Sequence, residues 1–306
     1  MKIRHVGIIS PGDMGQAVAV RLRESGFEIH TALAGRSART RALAAQAGID
    51  DCGDLDALVR RCDAILSILD PGAAPSAARA VAGAVARAGN RLLFADCNAV
   101  APATKRTMDS TLRGAGAVFV DGAIIGPPPR GKGGIRLYVS GPQAEALLPL
   151  AHETISIRVV SDRVGDAAAV KMCYGAVTKG AIALLTEMLI VARRLGVADT
   201  LDAELAGSQA PIRDWILRNL TNMAPKAYRW VPETNEIAAT FAAAGLTPRI
   251  LQGAADMYEF IAATELGRES PEQARERART GPEIIAALAA EKAADKTHKS
   301  QDRRDG

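Results

Sequence analysis

The stretch Val6-Gly7-Ile8-Ile9-Ser10-Pro11-Gly12-Asp13-Met14-Gly15 decides how the rest of this 306-residue chain is read. The apolar run around it reads as a buried strand over His5–Ser10, and the spacing of the following residues predicts a helix over Asp13–Ser25. A glycine turn between a strand and a helix has a physical use. Gly12 lets the backbone approach a pyrophosphate, and Gly15 lets the helix pack closely on the strand. The helix N-terminus then offers free N–H groups and a positive dipole end to the phosphates. Asp13 and Met14 lie inside the same candidate cofactor turn. Ser10 stands where such turns usually carry their first glycine, so a tight turn without a ligand is the competing reading.

Working outward, Glu28–Leu33, Ala64–Leu69, Leu92–Ala95 and Val118–Ile125 read as strands. Helical patterns such as Ala38–Ala47 lie between them. This alternation implies parallel βαβ units and a doubly wound α/β sheet. Ile135–Ser140 and Ile155–Val160 are expected to close it at the edge, and Leu69, at a strand end, joins the candidate cofactor residues.

An NAD site usually ends its second strand with a carboxylate for the ribose hydroxyls. Here the sequence is Gly35-Arg36-Ser37-Ala38-Arg39-Thr40-Arg41, with no acid. Arg36 and Ser37 suit a 2′-phosphate, which favours NADP as cofactor. The competing reading is a solvated basic helix start, although arginine there opposes the helix dipole.

After Ser161 the pattern turns helical: Gly165–Arg194 without a proline, then Leu201–Ala206, Pro211–Met223, Val231–Ala244, Thr247–Thr264 and Pro282–Ala294. The expected domains are a dinucleotide-binding unit over 1–161, an all-α unit over 162–294 and a charged tail over 295–306 without apolar spacing, expected to be disordered. Within the long helix, 100° per residue places Lys171, Gly175, Thr178 and Ile182 on one side, flanked by Tyr174 and Lys179. Such a polar stripe on an apolar helix is costly unless it lines a wet cavity. Desolvation would lower the Lys171 pKa toward the working pH, as suits a general acid or base. The alternative is a lysine that snorkels to the surface. The Gly/Pro-rich segment Gly126–Gly134, with Arg130 and Lys132, either binds an anionic group or is a solvated connection. Trp215 and Trp230 read as helix-packing residues rather than substrate platforms.

Composition bounds the remaining classes. Hydrophobic residues make up 48% and aromatics only 4%, so the cores are built of aliphatic side chains. The net charge of +4 is dispersed without basic–aromatic interleaving, which argues against nucleic acid. Cys52, Cys62, Cys97 and Cys173 show no CxxC spacing, so neither a disulfide framework nor a structural zinc is expected, and no His/Cys cluster suggests a metal. A strand so near the first residue leaves no room for a signal peptide, and no uncharged run reaches the roughly 18–20 residues of a membrane span. The expectation is a cytoplasmic protein with no membrane association.

The opening stretch, together with Gly26, resembles the start of β-hydroxyacid dehydrogenases and of 6-phosphogluconate dehydrogenase. Asp96-Cys97-Asn98-Ala99-Val100-Ala101-Pro102 is similar to their substrate loop. Asp121-Gly122-Ala123-Ile124-Ile125-Gly126 resembles the segment carrying their second substrate loop. Gly165-Asp166-Ala167-Ala168-Ala169-Val170-Lys171 looks like the helix with their catalytic lysine. Ala227-Tyr228-Arg229-Trp230-Val231-Pro232-Glu233 through Met257 resembles a helical domain of poorly characterised relatives.

The resemblance implies a Rossmann sheet followed by an all-α domain of 6-phosphogluconate dehydrogenase type. It implies NADP-dependent hydride transfer on a β-hydroxy acid and a homodimer. Lys171 is then the general acid/base, Asn98 binds the substrate's carboxylate or hydroxyl beside the cofactor, and Gly126 supplies a backbone N–H. Tyr174 and Lys179 join the substrate-binding set, and the partner is an anionic small-molecule substrate, bulkier than the family's standard ones where departures from the family pattern leave room. Gly175 stands where the family usually has asparagine, and Ile125-Gly126-Pro127 replaces its Ser-Gly-Gly. Both departures remove polar groups that would orient a small hydroxy acid. An imine reductase on the same scaffold, or a non-catalytic NADP sensor, is the alternative.

Overall fold

Val6, Ile8 and Ile9 are buried on both faces of the first strand, as its unbroken apolar run requires of a central parallel strand. That strand, β1 (His5–Ile9), leads into α1 (Asp13–Glu24), followed by β2 (Glu28–Thr31), α2 (Ala38–Gln46), β3 (Asp50–Asp51), α3 (Leu55–Arg61) and β4 (Ala64–Ser67). Then come α4 (Ala74–Ala88), β5 (Leu93–Asp96), α5 (Pro102–Gly114), β6 (Val118–Ile125), β7 (Ile135–Ser140) and β8 (Ile155–Ser161). The computed structural model describes residues 2–9, 11–131 and 133–291.

The strands form one eight-stranded sheet in the order β3-β2-β1-β4-β5-β6-β7-β8. All pairs from β3 to β6 are parallel, β7 runs antiparallel to β6, and β8 runs parallel to β7. The order reverses between β1 and β4, so the crevice beyond their C-terminal ends is the topological switch point where such sheets bind ligands. Two apolar cores flank the sheet. One contains Val18, Ala19 and Leu22 of α1 with Leu137 and Val139 of β7. The other packs α3, α4 and α5 against Ile65, Phe94 and Phe119. Gly7 is required here, because a Cβ on it would lie 2.8 Å from Ile65 Cγ1 and 3.2 Å from Cys62 Sγ.

The chain continues as α6 (Asp166–Gly175), a π-helical turn over Ala176–Gly180, α7 (Ala181–Arg194), α8 (Ala198–Ser208), α9 (Ala210–Met223) and α10 (Ala227–Ala243). The last elements are α11 (Arg249–Ala262), α12 (Glu265–Arg268), α13 (Pro271–Arg277) and α14 (Gly281–Ala290). By its contacts the chain divides into Met1–Tyr174 with Ala239–Gly245, and Gly175–Ala238 with Leu246–Gly306. The expected boundary at 161/162 marks the end of β8. The contact division falls later because the first turns of α6 are bonded to the sheet. The core of the second unit holds Ile182, Ile190, Ile216, Leu220, Tyr258, Ile261 and Leu288. Among the described residues this unit has no strand.

Several boundaries differ from the sequence reading. The two-residue β3 carries only exposed aspartates and has no apolar pattern to betray it. The helix expected over Gly165–Arg194 is broken in phase by the π-helical turn. Helix α10 starts four residues before Val231 and runs through Pro232. The tail 295–306 lies outside the described residues. The run Asp166–Arg194 is long and apolar enough to cross a membrane by length and composition. It carries Lys171, Lys179 and Glu187, and Ile182, Ala183 and Ile190 on it are core residues of the helical unit. All four cysteines are free thiols.

Candidate active site

The turn after β1 delivers the N-terminus of α1 to the switch point. Gly12 is the N-cap, and no side chain caps the helix, so its first-turn N–H groups stay available to an anion. Gly15 is buried against the sheet, Met14 packs on the first core, and Asp13 is exposed. Ser10 lies outside the described residues. The loop Gly126–Gly134 is no bare solvated connection. Arg130 donates to Asp13 Oδ1 at 2.7 Å and to Gln16 Oε1 at 2.9 Å, while Arg21 donates to the Pro129 carbonyl at 3.0 Å. The loop therefore lies along α1, beside the phosphate turn, with an arginine at its tip. Lys132 lies outside the described residues.

At the second strand's end, Arg36 is exposed and Ser37 is the N-cap of α2, its Oγ accepting the Thr40 N–H at 3.2 Å. Ser37 thus has a structural task of its own. An exposed arginine next to a helix N-terminus is still a fitting cradle for a phosphate.

Asn98 is placed differently from the expectation. It is buried, its Oδ1 accepts the Leu69 N–H at 2.7 Å, and its amide donates to Ser67 Oγ at 3.0 Å and Asp96 Oδ1 at 2.5 Å. Both amide hydrogens are used inside the protein. Asn98 therefore ties the loop after β4 to the loop after β5, and in doing so positions Leu69.

Beneath that loop lies a network the sequence reading missed. Lys105 on α5 is fully buried. Its Nζ donates to Asp96 Oδ2 at 2.5 Å, the Asp96 carbonyl at 2.6 Å and the Gly122 carbonyl at 2.9 Å, and lies 3.4 Å from Asp121 Oδ1. Burial disfavours its charge, but the two aspartates outweigh this and raise its pKa above the ordinary lysine value. Asp121 Oδ2 in turn accepts from Ser140 Oγ at 2.9 Å and from the Gly165 and Ala168 N–H groups at 3.0 and 3.1 Å. A carboxylate facing a helix N-terminus is favourable, so the network anchors α6 to the sheet. One signal for it was present in the sequence. Lys105 falls at the apolar-face spacing of α5, with Met108 and Leu112 as its buried companions. Burial also pushes the neighbouring Cys97 thiol up to about 12.

One turn beyond this anchor stands Lys171. It is half-buried, and its Nζ donates to the Ile124 carbonyl at 2.7 Å, near the C-terminal end of β6. This is the same end of the sheet as the phosphate turn, because β1 and β6 run in the same direction. Gly126, exposed just beyond β6, has φ +129°, and a Cβ there would come within 2.7 Å of the Gly134 carbonyl oxygen. Only glycine closes that loop. Tyr174, a turn after Lys171, is 47% exposed.

Lys179 belongs to the helical unit. Its Nζ lies 2.9 Å from Glu233 Oε1 and 5.2 Å from the Trp230 ring centroid. The π-helical turn breaks the 100° spacing that set Lys179 beside Lys171. Its carbonyl accepts the Tyr258 hydroxyl at 2.7 Å, and Trp230 meets Tyr258 edge-on at 5.2 Å. Gly175 fits against Ile237, whose Cδ1 would lie 2.8 Å from an added Cβ. An asparagine would not fit there unless Ile237 moved. No metal cluster is read from the sequence spacing, and the parallel register brings His5, Glu28 and His30 together at the N-terminal ends of β1 and β2.

Residues 5–150 match the model of the NAD binding domain of 6-phosphogluconate dehydrogenase, and residues 192–261 match a domain of unknown function, DUF1932. An uncharacterised 28.5 kDa protein from the 7S RNA 5′ region of Methanothermus fervidus is 30% identical over 196 residues, which is 64% of this chain and 74% of the relative. A conserved protein of unknown function, described as structurally similar to 3-hydroxyacid dehydrogenases, is also 30% identical. Its TM-score is 0.64, covering 87% of this chain and 100% of that one. This chain belongs to the β-hydroxyacid dehydrogenase and 6-phosphogluconate dehydrogenase-like family. A 3-hydroxyisobutyrate dehydrogenase of Mycobacterium tuberculosis shares the fold at a TM-score of 0.68 and 17% identity, over 91% of this chain and 100% of its own. Imine reductases share it too. The family member described here thus joins an NAD(P)-binding sheet unit of known type to a helical segment whose family carries no assigned task.

Proposed function

We propose that this chain is an NADP-dependent oxidoreductase that interconverts a hydroxyl group next to an acidic group and its carbonyl product, with a β-hydroxy acid as the reference substrate. The observation that carries the reading is the position of Lys171, held by the Ile124 carbonyl at the cofactor end of the sheet. The uncapped α1 N-terminus, Gly12 and Gly15 fit the pyrophosphate, and Arg36 fits a 2′-phosphate. The bound nicotinamide supplies hydride transfer to and from the carbinol carbon. Lys171 Nζ takes the hydroxyl proton in the oxidative direction and returns it to the carbonyl oxygen in the reductive one. Asn98 and Leu69 shape the loop over which the substrate's reacting carbon is presented.

Lys171→Ala is expected to lower turnover by about 10²–10⁴-fold while leaving NADP binding, read by titration calorimetry, unchanged. Unchanged turnover would remove the lysine from the mechanism. Imine reduction is the second reading, favoured by the inward engagement of Asn98, which leaves no amide hydrogen for a hydroxy acid. A panel of hydroxy acids, sugar acids and cyclic imines with NADP(H) and NAD(H) separates the two, and turnover on none of them would favour a sensor.

A homodimer through the helical unit belongs to the same reading. Leu184 and Val191, seven residues apart on α7, are 66% and 46% exposed, and Val177 in the π-helical turn is 63% exposed. A light-scattering mass equal to one chain would contradict it. The free thiols accord with a reducing cytoplasm.

A further inference from the structure

The N-terminal ends of β1 and β2 lie at the opposite end of the sheet from the cofactor turn and carry polar groups the proposed reaction does not use. The parallel register sets His5 beside Glu28 and Gly7 beside His30. Residues two apart on a strand share a face, so the three side chains converge. His5 Nδ1 lies 3.2 Å from His30 Nε2 and 3.3 Å from Glu28 Oε2, and all three atoms fall within 4.8 Å of one another. Ligand atoms about 2.0–2.2 Å from a tetrahedral zinc ion are separated from each other by about 3.3–3.6 Å. The two measured edges are already close to that spacing without any rearrangement.

The surroundings also fit a cation. The second nitrogen of His30, Nδ1, lies 3.9 Å from Asp50 Oδ2, beyond hydrogen-bond distance but near enough to add negative charge beside the imidazole. Arg4 holds the other Glu28 oxygen, Oε1, at 2.8 Å through a terminal guanidinium nitrogen and 2.9 Å through Nε, leaving Oε2 turned toward His5. His30 is closed off at 4% side-chain exposure, whereas Glu28 at 37% leaves one side open to water. One group opposes: Arg61 lies 3.4 Å from Glu28 Oε2, the oxygen a metal needs, and is 53% exposed, so it is free to swing into solvent.

We propose that His5 Nδ1, His30 Nε2 and Glu28 Oε2 form a three-ligand site for a borderline divalent cation, zinc foremost, with water as the fourth ligand. Two imidazoles and one carboxylate are a donor set that zinc accepts. Such an ion clamps β1 to β2 at the sheet's far end and is independent of the dehydrogenase reading.

The test uses full-length protein without a histidine tag, stripped with chelator and titrated with Co²⁺, with Zn²⁺ as competitor. One equivalent is expected to give the visible bands of four-coordinate cobalt, and zinc is expected to displace it and raise the melting temperature. Glu28→Gln and His30→Gln should weaken binding beyond the roughly 100-fold upper range of outer-shell losses. Arg61→Ala should tighten it by removing the competitor. His152→Gln and His298→Gln should change nothing. Should His30→Gln fail to fold, Glu28→Gln alters a side chain that is partly in water and carries the test, with circular dichroism as the fold control. Absence of binding at one equivalent, or binding that survives Glu28→Gln, overturns the site.

Discussion

The sheet unit and the helical unit use buried charge in opposite ways. In the sheet unit Asp96, Lys105, Asp121, Asn98 and Ser140 form one connected buried network at the C-terminal ends of the strands. In the helical unit the Lys179–Glu233 pair, 11% and 12% exposed, stands against Trp230 on an otherwise aliphatic core. The first arrangement joins four segments distant in sequence and fixes the helix bearing Lys171. The second links two helices. Strand ends gather side chains from all along a chain onto one edge, whereas helix packing mostly brings stripes together.

The sharpest way to break this contrast is Lys105→Met. Removing one partner of a buried charge pair costs about 3–5 kcal/mol, so urea unfolding should lose at least that much from the sheet unit. A cost near zero would mean the network is no anchor. Glu233→Gln in the helical unit should cost less, about 1–3 kcal/mol, because the pair is not fully desolvated. The double change Lys179→Met with Glu233→Leu should recover most of it, and a cost that persists would show that the pair does more than satisfy itself. Arg36→Ala should shift the ratio of NADP to NAD affinity by about tenfold, the worth of one charge-assisted hydrogen bond. No shift would place the cofactor choice elsewhere.

The smallest effect concerns acid. Hydrogen bonds from Arg279, with Arg277 also near, hold the Glu269 carboxyl below its ordinary value of 4.5. A carboxylate with a depressed folded pKa contributes stability that is present above 4.5 and lost as pH falls through the lower, folded value. Helical-unit stability should therefore decline below pH 4.5, and Glu269→Gln should flatten that decline in acid titrations followed by circular dichroism.

The strands β1, β4, β5 and β6 are legible in the sequence because burial on both faces leaves unbroken apolar runs. The phosphate turn is legible because strand, glycine and helix follow one another locally. Lys171 is legible as a charge inside an apolar helix. By contrast, the bonds of Asn98 to Leu69, Ser67 and Asp96 are not legible, since Ser67 and Leu69 reach it from the end of β4 and the loop after it. Lys179 reads as a neighbour of Lys171 only while the helix is taken as uniformly α, and no residue pattern announces the π-helical turn.

The sequence by itself determined the doubly wound sheet, its dinucleotide turn and the lysine-bearing helix after it, because each rests on periodicity or on contacts within a few residues. Only the tertiary structure decided that Lys105 is caged between Asp96 and Asp121, that Asn98 faces inward, and that His5 and His30 meet at Glu28. Those three facts depend on which strands lie side by side and in what register, and a register is a property of the whole sheet rather than of any one strand.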